Sequence, residues 1–310
     1  MITDPVAFAT DYLDASLRLS VPLAFAALGG LLSERSGVLN IGLEGMLLTG
    51  AFAAAVGAVF SGSVWLGVLA AAIAGSGLGF LHAYLCVNLF VNQLVSGLAI
   101  NLTAAGLTAY GARILFDSGT VELPRLTAIA LPGLSRLPVI GVLFDQNVLF
   151  YGLVGLIPAL TYLLFHTHWG LSLRAVGEYP RAADTAGISV FQVRHLSVVF
   201  SGCLSGLGGA YLALAHVGFF TEGMSAGKGF IALAALIFGR WHPVYASLAC
   251  LLFGVTEALQ LRIQAFNLDI PYQFLAMLPY AVALLALIGL AGKSSPPAAL
   301  GIPYQKENAR

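Results

Sequence analysis

Long apolar runs recur along this chain, and a helix needs about 20 mostly apolar residues to cross a bilayer. Runs of that kind cover 16–32, 38–60, 65–87, 94–116, 148–165, 196–217, 243–261 and 274–290. A ninth, 229–238, is too short to cross alone and predicts a broken or re-entrant helix, which must be buried in protein or line a wet cavity. Only 9% of the residues are charged and 59% are hydrophobic. Soluble domains carry about 25% charge, so a water-soluble fold of this composition would expose far too much apolar surface. The expected fold is an all-α polytopic membrane bundle of nine or ten spans, a single transmembrane domain over 1–310.

Two connections are long enough to orient the bundle. The segment 117–147 holds Pro124, Pro132, Pro138 and five charged residues, and 167–194 holds Arg174, Arg181 and Arg194. The positive-inside rule puts 167–194 in the cytoplasm. Counting spans from there puts Glu34 and Arg35 on the same side, the C-terminal tail inside, and 117–147 with the acidic N-terminus outside. Met1 to Asp14 holds three aspartates and no Lys or Arg, so it lacks the basic start of a cleaved signal peptide.

Glycine numbers 36 residues, with Gly29–Gly30, Gly75/Gly79, Gly202/Gly206 and Gly208–Gly209 at spacings that let helix backbones approach closely. Leu28-Gly29-Gly30 precedes Glu44-Gly45-Met46 much as Leu207-Gly208-Gly209 precedes Glu222-Gly223-Met224. By the span count these stretches run in opposite senses, the arrangement of an inverted repeat.

Enzyme chemistry finds little support. The six histidines form no zinc spacing, and Cys86, Cys203 and Cys250 are far apart in apolar runs. Gly223 to Gly229 superficially resembles a phosphate loop. It has one residue too few between its glycines, and Gly229 stands where a hydroxyl residue would hold magnesium. No nucleotide site or cofactor is expected in this chain. With 14 basic and 14 acidic residues and no basic stripe, nucleic acid is not expected either. Glu44, Asn101, Glu257 and Gln260 fall within apolar runs. Polar groups at such depth either line a path or bond between helices, and the residues leave both open.

The 167–194 connection carries the sharpest signal. Pro180 suits a first helical turn, Arg181 to Ala186 are helix formers, and Gly187 is a natural stop. A short surface helix is expected there, compact enough to dock a soluble partner.

Here the sequence resembles the permeases of bacterial ABC importers, whose cytoplasmic coupling helix follows a Gly-Glu-x-Pro-x-Ala-Ala pattern. Gly177, Glu178, Pro180, Ala182, Ala183 and Gly187 match it, while Tyr179 and His242 stand where Asn is more common. The stretches 31–45 and 227–243 also resemble the branch serving nucleosides and simple sugars, related to ribose and branched-chain amino acid permeases. The resemblance covers about 16–292. It implies a multi-pass subunit of the plasma membrane that carries small polar solutes, nucleosides first, simple sugars or branched-chain amino acids as alternatives. It implies separate ATPase subunits gripping Gly177, Glu178, Pro180, Arg181, Ala182, Ala183 and Gly187. A second, non-identical permease and an extracytoplasmic solute-binding protein would complete the assembly. Asn40, Glu44 and Lys228 are the expected pathway-lining groups. A stand-alone secondary transporter is the competing class, and in that case the docking helix would be idle.

Overall fold

A computed structural model describes residues 5–116, 121–130, 132–133, 135, 137–265, 272–279, 281–282, 285 and 295–305. The long helices are α1 (Pro5–Arg35), α2 (Leu43–Ser61), α3 (Val64–Ala83), α4 (Gln93–Leu115) and α5 (Val148–His166). They are followed by α6 (His168–Glu178), α7 (Pro180–Thr185), α8 (Val190–Ala210), α9 (Lys228–Phe238), α10 (Pro243–Ala265) and α11 (Tyr272–Ala276). α3 and α8 each run on into a π-helical stretch, Tyr84–Asn88 and Tyr211–Val217. Two short strands, β1 (Ala128–Ala130) and β2 (Asp145–Asn147), pair antiparallel between α4 and α5.

Among the described residues seven helices are long and apolar enough to cross a membrane: α1 to α5, α8 and α10. α9 has 11 residues, a rise of about 16 Å, which is half a bilayer core. Of the expected span 274–290, residues 280, 283–284 and 286–290 lie outside the described residues.

α1 is the axis of the bundle. From Ser16 to Glu34 every residue but Arg18 is buried. A helix apolar all round belongs in the middle of a bundle, and α8, α10 and α9 pack along it, with α5 and α2 touching it more lightly. The outer helices send large apolar side chains outward instead. Leu102 is 77% exposed and Ile73 63%, with Trp65, Leu107, Tyr110, Ile114 and Leu248 also exposed. Such a belt is stable only against lipid or another membrane subunit.

Glycines set the inner contacts. A Cβ at Gly75 would collide with the Gly202 carbonyl, one at Gly202 with the Gly75 carbonyl, and one at Gly206 with the Ala71 carbonyl. α3 and α8 therefore touch backbone to backbone. Where lipid supplies no hydrophobic drive, that close approach supplies the dispersion energy of the crossing.

Two irregular segments interrupt the helices. Between α1 and α2, 36–42 turns back into the bundle, so α2 starts inside it. Between α8 and α9, 218–227 does the same from the opposite end. α1 and α8 run antiparallel, since Gly29 meets Ser201 and Gly208 meets Pro22. α2 and α9 point apart from a shared start, where Gly229 lies against the Glu44 backbone. This matches the opposite senses expected of the two halves. The acidic residues do not correspond, however: Glu44 lies in the first turn of α2, while Glu222 lies in the turn region ahead of α9.

Replacing Gly202 with Leu should cost at least about 3 kcal/mol, because backbone blocks both sides of the new side chain. Gly77→Ala, with nothing within 4 Å, should be neutral. Thermal unfolding of the detergent-solubilised protein distinguishes the two.

Candidate functional site: a polar junction inside the bundle and a docking end

Glu44 holds the two helix starts together. Its Oε1 accepts from the Gly227 amide at 2.8 Å and the Ser225 hydroxyl at 2.6 Å, and its Oε2 accepts from the Gly229 amide at 2.6 Å. The first amides of α9 have no intrahelical partner and carry the positive end of the helix dipole, so a carboxylate is their natural cap. Gly227 has φ +82, a left-handed conformation that favours glycine, and it turns the chain into α9. Beside this cap, Lys228 Nζ pairs with Glu257 Oε1 at 2.7 Å. Lys228 is about 15 Å along α9 from Phe238, and Glu257 is about 21 Å along α10 from Pro243. The pair therefore lies deep in the membrane-spanning part, with side chains 10% and 26% exposed.

The segment 36–42 has irregular backbone at membrane depth, and such backbone must be satisfied by protein. Ser33 Oγ donates to the Val38 carbonyl, and Gln93 Oε1 accepts from the Leu39 amide. His82 Nε2 lies 3.0 Å from the Leu39 carbonyl, with its Nδ1 2.9 Å from Ser96 Oγ. Asn101 donates to the Ile41 carbonyl and accepts from the Gly45 amide. Asn40 is fully buried, its amide donating to Ser201 Oγ at 3.0 Å.

Of the three pathway candidates, the structure thus brings Glu44 and Lys228 together and puts Asn40 away from open space, between 36–42 and α8. Asn101 and Glu257, expected from their depth in apolar runs, are bonded here, and His82, Gln93 and Ser33 join them, the last two without a comparable signal in the sequence. His82 is a lone polar residue in an apolar run, whereas Ser33 and Gln93 lie in short polar stretches at the ends of runs, where solvent contact is the ordinary expectation.

The ends of the bundle differ. At one, Arg113 on α4 makes a bidentate pair with Glu222, at 2.7 and 3.1 Å. The hydrogen-bonded guanidinium holds the Glu222 carboxyl below its usual range. At the other, α6 and α7 form a bracket. Pro180 opens α7, and Gly187, at φ +85, lies just past its end, as the residue types predict. Tyr179, Arg181, Ala182 and Gly187 are exposed and Pro180 half-buried. Glu178 is also exposed and accepts from the Ala298 amide at 3.3 Å. Ala183 is 4% exposed and packs into the core. Gly177 is buried where a Cβ would collide with the Arg35 carbonyl. The residues expected to dock a partner therefore divide: Gly177 and Ala183 seat the bracket, Pro180 is half-buried, and the others face outward. Trp241 donates its indole N–H to Glu34 at 2.6 Å and accepts from Arg35 Nε at 3.0 Å, which ties the α9–α10 turn to the same end.

Glu44→Ala should lower stability by about 3 kcal/mol, since it strips the cap from buried amides, and Glu44→Gln by less. Lys228→Met should destabilise more than the double variant Lys228→Met/Glu257→Gln, because the single change leaves a buried carboxylate unpaired. Thermal unfolding across this set is the check.

The sequence matches the family described as branched-chain amino acid transport system / permease component over residues 12–291. It is 40% identical over 304 residues to a guanosine ABC transporter permease of Bacillus subtilis, covering 94% of this chain and 95% of that one. It is 40% identical to a nucleoside ABC transporter permease of Lactococcus lactis, covering 93% and 94%. A glucose ABC transporter permease of Haloferax volcanii is 37% identical, covering 85% and 80%. Each of these organisms also supplies a second, more distant permease match, at 30%, 26% and 30% identity. A solved chain of a metal-chelate type ABC transporter, facing inward, aligns over 93% of this chain and 90% of its own, with TM-score 0.46 and 15% identity. The seven apolar spans among the described residues and these permease relatives make the chain a multi-pass plasma-membrane protein. It belongs to the ABC-transporter permease family of the branched-chain amino acid transport type.

Proposed function

We propose that this chain is one of two membrane subunits of an ATP-driven nucleoside importer. The observation that carries the reading is 40% identity, over more than nine-tenths of the chain, to permeases of a guanosine and a nucleoside transporter. The glucose relative, at 37%, supports a simple sugar as the second reading.

The partner is a second, non-identical permease. Support comes from three organisms in which two permease chains match, one at 37–40% and the other at 26–30% identity. ATP is hydrolysed by separate subunits on the cytoplasmic side, which grip α6 and α7 through Glu178, Tyr179, Pro180, Arg181, Ala182 and Gly187. A solute-binding protein delivers substrate at the opposite end, near 117–147 and the Arg113–Glu222 pair.

Transport is alternating access. ATP-bound and ATP-free subunits favour different conformations of the permease pair, and substrate moves as the populations shift. The wall of the path is built at the Glu44 junction. α2 and α9 start there and diverge, so a relative movement of the two halves opens the gap between them to one side or the other. Lys228 and Glu257, as a neutral pair, let that wall be polar without fixing a net charge, in keeping with an uncharged polar solute.

Cells carrying this chain with its cognate subunits should take up labelled guanosine or another nucleoside, and cells lacking it should lose that uptake. Uptake of glucose or ribose alone would move the assignment to sugars. Tyr179→Asp with Arg181→Glu should release the ATPase subunit on co-purification while leaving the chain in the membrane. Full retention would remove the docking role of α7.

A further inference from the structure

The residues 295–305 return to the α6–α7 end and are bonded into it. The Ala299 amide donates to the Gly177 carbonyl at 2.9 Å, and the Gly301 amide to the Gly37 carbonyl at 3.1 Å. The Ala298 amide reaches Glu178 Oε2. This strap therefore joins the last turn of α6 to the start of the irregular segment 36–42.

Arg194, in the second turn of α8, closes the arrangement. It is 1% exposed. Its Nε donates to the Ser36 carbonyl at 3.2 Å and its Nη1 to the Ile302 carbonyl at 3.1 Å. Gly37, at φ +89, leaves room for it, since a Cβ there would come 2.9 Å from Nη2. Burying a guanidinium costs several kcal/mol, and an apolar side chain of similar volume packs the same space more cheaply. What a fork of donors offers and an apolar chain cannot is a fixed geometry between two carbonyls on separate segments. Those two segments have different destinations. Ser36 leads through 36–42 to Glu44, and Ile302 leads through the strap to α6 and α7.

We propose that Arg194 and the strap 295–305 form a transmission joint, with Arg194 as a positioning residue that carries displacement of α6–α7 into the segment 36–42 and so to the Glu44 junction. The joint deepens the reading of α6–α7 as the ATPase-docking element and rests on it. Arg194 neither touches the solute nor faces the ATPase. Its loss leaves docking intact and breaks the link between hydrolysis and movement. A cleft of about 570 Å³ between α7 and the strap, lined by Tyr179, Arg181, Pro303 and Tyr304, leaves space for the two to close on each other.

The test is the ratio of ATP hydrolysed to solute moved, measured in proteoliposomes holding the whole transporter with Arg194→Met, Arg194→Lys or Ala299→Pro. Ala299→Pro removes the donor to Gly177 without touching Arg194. Arg194→Met and Ala299→Pro should each cut solute uptake by about tenfold, the scale of lost hydrogen bonds from a buried charged group, with ATP hydrolysis held within about twofold. Arg194→Lys should fall between, and the double variant should be no worse than either single one, because both break the same link. The ATPase subunit should co-purify with every variant. Uptake and hydrolysis falling together would mean that Arg194 and the strap only hold the fold, and unchanged uptake would mean that they do nothing in transport; either overturns the joint. Failure of the docking reading looks different: the ATPase subunit would stay bound to the Tyr179→Asp/Arg181→Glu chain, which would remove the basis of both.

Discussion

The carboxylate of Glu44 makes the rest of the bundle possible. Two helices begin inside the membrane-spanning part, and each brings unpaired amides and a positive dipole end with it. In hydrocarbon those amides would be too costly to leave bare. Glu44 belongs to the first turn of α2 and caps the first turn of α9, while Asn101 accepts from the Gly45 amide at the start of α2. α2 and α9 leave that point in opposite directions, so the junction joins the two halves of the chain.

Backbone bonding has to be complete around this point, and side chains complete it. Gln93, His82, Ser33 and Asn101 come from three different helices and bond the segment 38–45, one carbonyl or amide at a time. Their role is the same as that of water at a loop on a soluble protein. The difference is that water exchanges freely and these groups do not, so the path of 36–42 is fixed by the positions of α1, α3 and α4. The glycine contacts of α3 with α8 hold those positions, since no side chain intervenes where Gly75 meets Gly202.

At the α6–α7 end the residues of one motif divide into exposed and buried ones. Tyr179 and Arg181 face outward, while Gly177 and Ala183 are consumed in seating the bracket against α1 and the core. In the proposed docking role a rigid seat matters, because an element that tilted freely would absorb a partner's stroke instead of passing it on. The strap and Arg194 bind that seat to the segment leading to Glu44, so the α6–α7 end and the junction are linked by a continuous series of bonds.

The sequence by itself determined that the chain lies in a membrane, because no soluble packing can hide so many apolar runs. It also determined where most helices lie, since span length is set by bilayer thickness and each run is bounded by turn residues. The short run 229–238 was legible as a half-helix for the same reason, and Pro180 and Gly187 marked the ends of α7 through their backbone preferences alone. Tertiary structure alone decided the rest. Which amides Glu44 caps, why Gly177 and not a larger residue meets Arg35, and how Arg194 reaches Ser36 and Ile302 are all contacts between residues distant in the chain. A polar residue in an apolar run announces that it has a partner. Its identity follows only from how the helices cross, and that depends on the close approach of glycine-bearing backbones whose pairing no local pattern encodes.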